Sequence, residues 1–349
     1  MNFEFSSDQM LLKDQARKFL ESEESVKKAR EVLEGEQTHD ESLWKSVIEM
    51  GWTATTIPEE FDGLGLGYLE LCVIAEELGR SLAPTPFSSS VYLATEALIS
   101  LGSNEQKQSY LPRLATGEII GTLAHTESTS SPSVENLTCE LNGNKLNGTK
   151  IAVTDGDIAN FAVVSAKEGE KAVLCLVDLS TKGVEITSQN TLDPSRSHAS
   201  INFKDAEADI LGTDVDGWIA LQEILDRAAV LFAFEQLGGA EACMNMAKEY
   251  AMGRFAFGRP IASFQAIKHK IADMYIAVEL ARSNCYFGAW ALRPMHLNFR
   301  QQLPPQGLVP ARLFMNVQKK TFKLMEEWDS LGNLTAISIT EDADSLQPI

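Results

Sequence analysis

The chain has 349 residues, 44% of them hydrophobic, and a mean hydropathy of −0.10, the balance of a water-soluble globular protein with room for more than one domain. A formal charge of −19 argues against nucleic acid and anionic membrane as partners, since both select basic faces. The longest apolar runs, such as residues 228–234, are far too short to span a bilayer.

Five cysteines, Cys72, Cys139, Cys175, Cys243 and Cys285, are odd in number, scattered and without a CxxC pair. The five histidines are equally dispersed. Neither a disulfide framework nor a metal site is expected. "MNFEFSSDQM" has neither the basic nor the apolar region of a secretory signal, and with the reduced thiols it predicts a cytoplasmic protein.

Residues 1–118 read as helices. Ser6 with Gln9 makes a capping box ahead of Leu12, Ala16, Phe19 and Leu20. Leu43, Val47 and Met50 come next at helical spacing. In "FDGLGLGYLELCVIAEELGR" a glycine-rich turn precedes a helix whose buried face is Leu71, Ile74, Ala75 and Leu78. Pro84 and Pro86 break the chain before the helical pattern "VYLATEALISLG".

The period changes over residues 119–211. "IIGTLAHTE", "NFAVVSA", "KAVLCLVDL" and "ASINFKDA" are short and β-rich, and Asn142-Gly143 and Asn147-Gly148 are turn signals. A compact β domain, barrel or sandwich, is expected there. Residues 212–292 return to helix. Trp218, Leu221, Leu225 and Ala228 open one long segment reaching about Gly253; Ile267, Ile271, Met274, Val278 and Ala281 share a face of the next. The order predicts an α+β protein with a β domain set between an N-terminal helical domain and a C-terminal bundle of long helices.

Three stretches share a resemblance. "IPEEFDGLGLGYLELCVIAEELGR", "GSNEQKQSYLPRLATGEIIGTLAHTE" and "GRFAFGRPIASFQAIKHKIADMYIAVELAR" are similar, in order and spacing, to signature segments of the acyl-CoA dehydrogenases. The resemblance implies FAD and an acyl-CoA substrate oxidised to a trans-2-enoyl-CoA. It also implies electron-transfer flavoprotein as acceptor and a dimeric or tetrameric assembly, homomeric or heteromeric. The chemistry needs a base at the α-carbon, donors on the thioester oxygen where enolate charge develops, and an apolar pocket.

Carried over by the resemblance, Arg254 matches the arginine that contacts the FAD pyrophosphate, where a guanidinium suits a diphosphate. Phe257 and Gln265 match adenosine-side contacts, or are packing residues. Thr126 and Thr154 match the threonines that face the flavin ring, or are ordinary strand threonines. Asp226, ahead of Arg227, occupies one of the family's two positions for the base and is one methylene shorter than the usual Glu; a solvent-facing carboxylate beside a salt-bridging Arg227 is the plain alternative. Glu235 is a reserve. Two departures stand out: Ser128–Pro132 lacks the family's glycine, and Ala152 replaces an aromatic residue over the ring. Both are similar to the divergent subunits of heteromeric enzymes of steroid catabolism, so a flavin-poor, non-catalytic partner subunit is the alternative reading.

After Leu292 the pattern dissolves. Residues 293–349 hold five of the twelve prolines and no sustained apolar face, and the family's late T-H-G-G-x-G motif is absent. Reading plausible codons from the third base of the Arg293 codon yields T-N-A-P-E-L-S-A and, further on, N-I-Q-T-H-G-G-M-G-F-T-W-E-F-D-C-H-L-Y-Y-R-R. The last two bases of every shifted codon are dictated by the residues present: Met325-Glu326 forces one glycine of that motif and Trp328-Asp329 another. A frameshift after Leu292 is therefore expected, with residues 293–349 an out-of-frame tail.

Overall fold

The computed structural model describes residues 5–130, 132–191, 193–213 and 215–292. The expected out-of-frame tail lies outside the described residues. Helices α1 (Ser7–Ser22), α2 (Ser25–Glu34), α3 (Glu41–Glu49) and α4 (Tyr68–Arg80) come first, then a π-helix (Ser88–Thr95), α5 (Glu96–Leu101) and α6 (Asn104–Ala115). Next is a run of strands: β1 (Gly121–Ala124), β2 (Glu140–Asn142), β3 (Lys145–Thr154), β4 (Phe161–Glu168), β5 (Lys171–Asp178), β6 (Val184–Gln189), β7 (His198–Glu207) and β8 (Asp209–Leu211). Helix α7 (Gly217–Gly253), the short strands β9 (Phe255–Ala256) and β10 (Arg259–Pro260), and α8 (Gln265–Ala291) complete the order. This is the expected α+β arrangement of helices, sheet and long helices. Two compact units interleave along the chain. One gathers the chain up to Lys27, Tyr68–Ala83 and the chain from Val230; the other gathers Lys28–Gly67 and Pro84–Ala229.

In the first unit, α1 starts at its capping box. Ser6 Oγ accepts from the Gln9 N–H, and Gln9 Oε1 accepts from the Ser6 N–H at 2.9 Å. Helix α4 reads as amphipathic but is buried all round from Leu71 to Leu78, so Glu76 and Glu77 lie inside with the apolar residues. Glycine lets the backbones meet. A Cβ on Gly79 would lie 2.0 Å from the Glu235 carbonyl oxygen, and one on Gly238 only 1.8 Å from that of Glu76. The two buried carboxylates are paired with cations from three helices. Glu76 takes Lys13 at 2.7 Å and Arg282 at 2.8 Å. Glu77 takes Arg17 in a two-pronged contact at 2.8 and 3.0 Å, and Arg80 at 3.1 Å. Glu241 of α7 closes the ring onto Arg80 and Arg282. Burial opposes ionisation of Glu241, but the two guanidinium groups outweigh it and hold its carboxyl below the usual range.

In the second unit the strands form one sheet in the order β6-β7-β3-β2-β4-β5-β8, with β1 parallel to β4. Strands β4 and β5 are apolar at nearly every position because both faces of the sheet are covered. Phe161, Val163, Leu174 and Leu176 face a core shared with Leu98, Leu111, Leu221 and Ile224. Ala162, Val164, Cys175 and Val177 face the other core, with Leu146, Val153, Ile201 and Phe203. Of the two expected turns, Asn142-Gly143 alone makes a hairpin. Asn147-Gly148 lies inside β3 at a register shift, where Gly148, at φ +136°, makes room for Cys139.

The same unit buries an ion pair. Lys150 is 0% exposed; its Nζ donates to Glu127 Oε1 at 2.7 Å and to Ser165 Oγ at 2.9 Å. The other oxygen of Glu127 accepts from the Thr138 N–H and hydroxyl at 2.5 and 2.6 Å. Burial resists the charge, but Lys150 and Thr138 bring the Glu127 carboxyl down to about 2. The pair thus ties the end of the segment after β1 to β3.

Both kinds of contact set stability. Gly238→Ala and Glu76→Gln each unfold at lower urea concentration with unchanged m, the latter by about 3–5 kcal/mol because a buried cation loses its anion; a change within about 0.5 kcal/mol, typical of surface sites, contradicts the packing described. Since the folded Glu127 carboxyl lies at about 2 against a usual 4.5, its stabilisation is present above 4.5 and is lost as pH falls toward 2. Lys150→Met therefore lowers the melting temperature at pH 7 and flattens its decline between those limits; parallel wild-type and variant profiles contradict the pairing.

Candidate active site

Beyond β1 the chain continues through His125 and Thr126, and the Thr126 carbonyl accepts from the Ile151 N–H at 2.9 Å. The two expected ring-facing threonines are thereby carried on neighbouring segments. Strand β3 bulges between Lys150 and Val153, with Ala152 exposed at φ 51°. The Ala152 N–H donates to Gln189 Oε1 at 3.0 Å. The bulge turns Val153 into the core and leaves Thr154 half-buried. The Thr154 carbonyl accepts from the Thr122 hydroxyl at 2.6 Å, and its own Oγ1 lies 3.4 Å from His198 Nε2.

Next to Thr126, burial and the nearby Lys150 push the His125 imidazole down to about 4, so it is neutral at pH 7. Its Nδ1 has no hydrogen-bond partner among the described residues. The ring lines a cavity of about 10 Å³ with Glu127, Ser128, Ser130, Asn136 and Leu137, room for about one water. Ser128 Oγ and Ser130 Oγ are 2.6 Å apart, so this serine-rich loop bonds to itself.

Behind Thr154 lies a buried carboxylate that no local pattern announces. Asp155 is 2% exposed and accepts from Ser89 Oγ of the π-helix at 2.5 Å. Burial raises its carboxyl to about 6, against the opposing pull of Ser89 and Arg196. On the part of α7 within this unit, Asp226 and Arg227 are half-buried. Arg227 reaches Glu96 of α5 at 3.4 Å and Glu223 one turn earlier at 3.9 Å. Arg227 is thus salt-bridged, and Asp226 beside it is half-buried rather than fully solvent-facing.

Arg254, Phe257 and Gln265 belong to the other unit, around the β9–β10 hairpin and the start of α8. Arg254 and Gln265 are exposed. Phe257 is 96% exposed in the left-handed region at φ 53°, a costly conformation for an aromatic residue standing in water. The hairpin is pinned by Phe264: the Arg259 guanidinium lies 4.2 Å over its ring, and Phe257 meets it edge-on at 6.2 Å. The reserve carboxylate, Glu235, sits on α7 where Gly79 meets its backbone.

Sequence reasoning missed Lys150 and Asp155. The period-2 pattern of β3 is broken twice by bulges, so the lysine's inward direction had no periodic signal. The Ser88-Ser89-Ser90 run was the available hint that a polar partner lay inside.

The family description of the acyl-CoA dehydrogenase N-terminal domain matches residues 6–118, and that of the C-terminal domain matches residues 215–312, past Leu292. The chain is 33% identical over 265 residues to the mitochondrial isovaleryl-CoA dehydrogenase of Solanum tuberosum, spanning 71% of this chain and 64% of that protein. It is 33% identical over 281 residues to the acyl-CoA dehydrogenase IpdE2 of Mycolicibacterium smegmatis, spanning 80% and 75%. Among solved structures, the ChsE4-ChsE5 complex from Mycobacterium tuberculosis superposes with a TM-score of 0.76 at 26% identity, covering 95% of this chain and 94% of that one. FAD is the cofactor of such enzymes. On its helical domains, its interposed sheet and these matches, the chain belongs to the acyl-CoA dehydrogenase family.

Proposed function

We propose that this chain derives from an FAD-dependent enzyme that removes hydrogen from the α- and β-carbons of an acyl-CoA thioester. The observation that carries the reading is the occurrence of Thr126 and Thr154 on segments joined by the Ile151 N–H, with an exposed Ala152 in the bulge before Thr154. Each unit, taken by itself, carries residue types that suit the cofactor: the hydroxyls of Thr126 and Thr154 in one suit a flavin ring, and in the other the exposed guanidinium of Arg254, the exposed strained Phe257 and the amide of Gln265 suit a dinucleotide. When bound, FAD supplies the hydride acceptor. The chain's own part is to hold and to deprotonate. Asp226 takes the α-proton, and Arg227, gripped by buried Glu96, fixes the rotation of α7 that aims it. Electron-transfer flavoprotein is the acceptor in this reading.

The reading includes a shifted frame after Leu292. Tyr275, Ile276 and Leu280 on α8 are more than half exposed, which supports the loss of covering helices. Each such side chain left in water forgoes about 1.5–3 kcal/mol. A second reading, a subunit that lends fold and interface to a catalytic partner, is favoured by the self-bonded Ser128–Ser130 loop.

The test is an anaerobic acyl-CoA panel on the frame-restored protein, monitoring loss of flavin absorbance with an artificial acceptor as back-up. The expected result is bleaching by at least one straight, branched or ring-bearing acyl-CoA, slowed at least about 100-fold in Asp226→Asn, the lower range for losing a general base. Tight flavin that no thioester bleaches, in a protein that co-purifies with a second dehydrogenase-like chain, favours the partner-subunit reading. Unchanged turnover in Asp226→Asn removes Asp226 as the base. Resequencing through the Leu292 and Arg293 codons decides the frame: the missing base is expected, and an intact, expressed locus that lacks no base contradicts the shift.

A further inference from the structure

Departures from regular backbone converge on the end of β3. Ala152 and Asp155 both adopt left-handed φ, at 51° and 56°, with the bulge between Lys150 and Val153 beside them. Facing them is a π-helix, Ser88–Thr95, whose Ser88, Ser89 and Ser90 are all buried. Irregular helices and strained residues persist where the surroundings over-determine them, and they concentrate at functional sites. Here the over-determination is visible. Ser89 Oγ donates to Asp155 Oδ2 at 2.5 Å, with the Pro86 carbonyl 3.1 Å from the same hydroxyl. Arg196 donates to Ser88 Oγ. The Asp155 N–H donates to the Ser197 carbonyl at 2.8 Å, and the Asp155 carbonyl accepts from the Ala159 N–H at 3.0 Å. Thr154, the adjoining residue, is thus held by its neighbour on one side and by Thr122 and His198 on the other.

We propose that Asp155 is a positioning residue: clamped by Ser89 of the π-helix, it fixes the left-handed turn that presents the Thr154 hydroxyl to the cofactor. The proposal rests on the role given to Thr154 in the proposed function. The charged groups acting on Asp155 are Arg196 and His198, which favour the carboxylate, and Asp157, which opposes it; the π-helix contributes the neutral hydroxyls of Ser88 and Ser89. Because the folded carboxyl lies at about 6 against 3.8, its contribution to stability is full below 3.8 and is lost as pH rises through 6.

The experiment compares the full chain, frame-restored after Leu292, with its Ser89→Ala and Asp155→Asn variants, using hydrogen exchange, melting temperature from pH 4 to 8, and titration with FAD read by fluorescence and by the visible band of bound flavin. In Ser89→Ala, exchange rises in both segments 88–95 and 154–156, and FAD affinity falls about tenfold with a shifted flavin band, as for a lost hydrogen bond to a charged group. Asp155→Asn, which keeps an acceptor for Ser89, retains affinity and band; it melts above wild type at pH 7, and the gap closes toward pH 4. Unchanged exchange in both segments of Ser89→Ala overturns the clamp. Raised exchange with unaltered FAD affinity and band leaves a structural contact and overturns the positioning role. Should Ser89→Ala not fold, Ser89→Cys, which keeps the shape and weakens the donor, decides in its place: unchanged exchange in both segments overturns the clamp. A frame-restored parent that takes up no FAD removes the proposed function and the positioning role together, while the exchange data still judge the clamp.

Discussion

A carboxylate at 0% exposure has no water to fall back on, and Glu76 is such a group. It persists because Lys13 and Arg282 converge on it while Arg17 and Arg80 converge on its neighbour Glu77. A buried ion pair adds little net stability over an apolar isostere, yet removing one member leaves a charge stranded. The effect is specificity of register. Helix α4 packs in the one rotation and depth at which Lys13 and Arg17 of α1 and Arg282 of α8 each meet an anion. Gly79 and Gly238 make that depth reachable, since a single Cβ at either would strike the opposing backbone. The E-E-x-G-R run at residues 76–80 is therefore a packing device written in charge.

The same economy recurs in the sheet. Lys150 and Glu127 form a second buried pair, and it anchors the segment after β1. A loop that bonds to itself, an exposed Ala152 and a neutral His125 make this edge more open and more polar than an aromatic-covered one. In the proposed function these differences lie beside the flavin ring, where they bear on how tightly it is held rather than on the fold.

Much of the architecture is legible in the sequence. The Ser6–Gln9 capping box sets the start of α1, and the change from helical to alternating period places the sheet between the helices. The features that escape pattern reading have a common cause. Periodicity assigns polar residues to water, so nothing in it singles out Glu76, Glu77, Lys150 or Asp155 as inward. Each is inside because a partner distant in sequence neutralises it, and nothing local announces such a partner. Asn147-Gly148 misleads for a related reason: the glycine answers a close approach by Cys139 across the sheet, not a reversal of the chain. The candidate site is legible only through resemblance; spacing alone does not single out Thr126 or Thr154.

The central claim is that the described residues are shaped to hold a flavin and that the chain beyond Leu292 is out of phase with them. Flavin stoichiometry per chain, measured side by side on the protein as it stands and on its frame-restored counterpart, tests both halves at once. The account predicts flavin approaching one per chain in the restored protein and below about a tenth of that in the present chain, a difference of at least about 1.4 kcal/mol. Equal flavin content in the two proteins, whether full or absent, contradicts it.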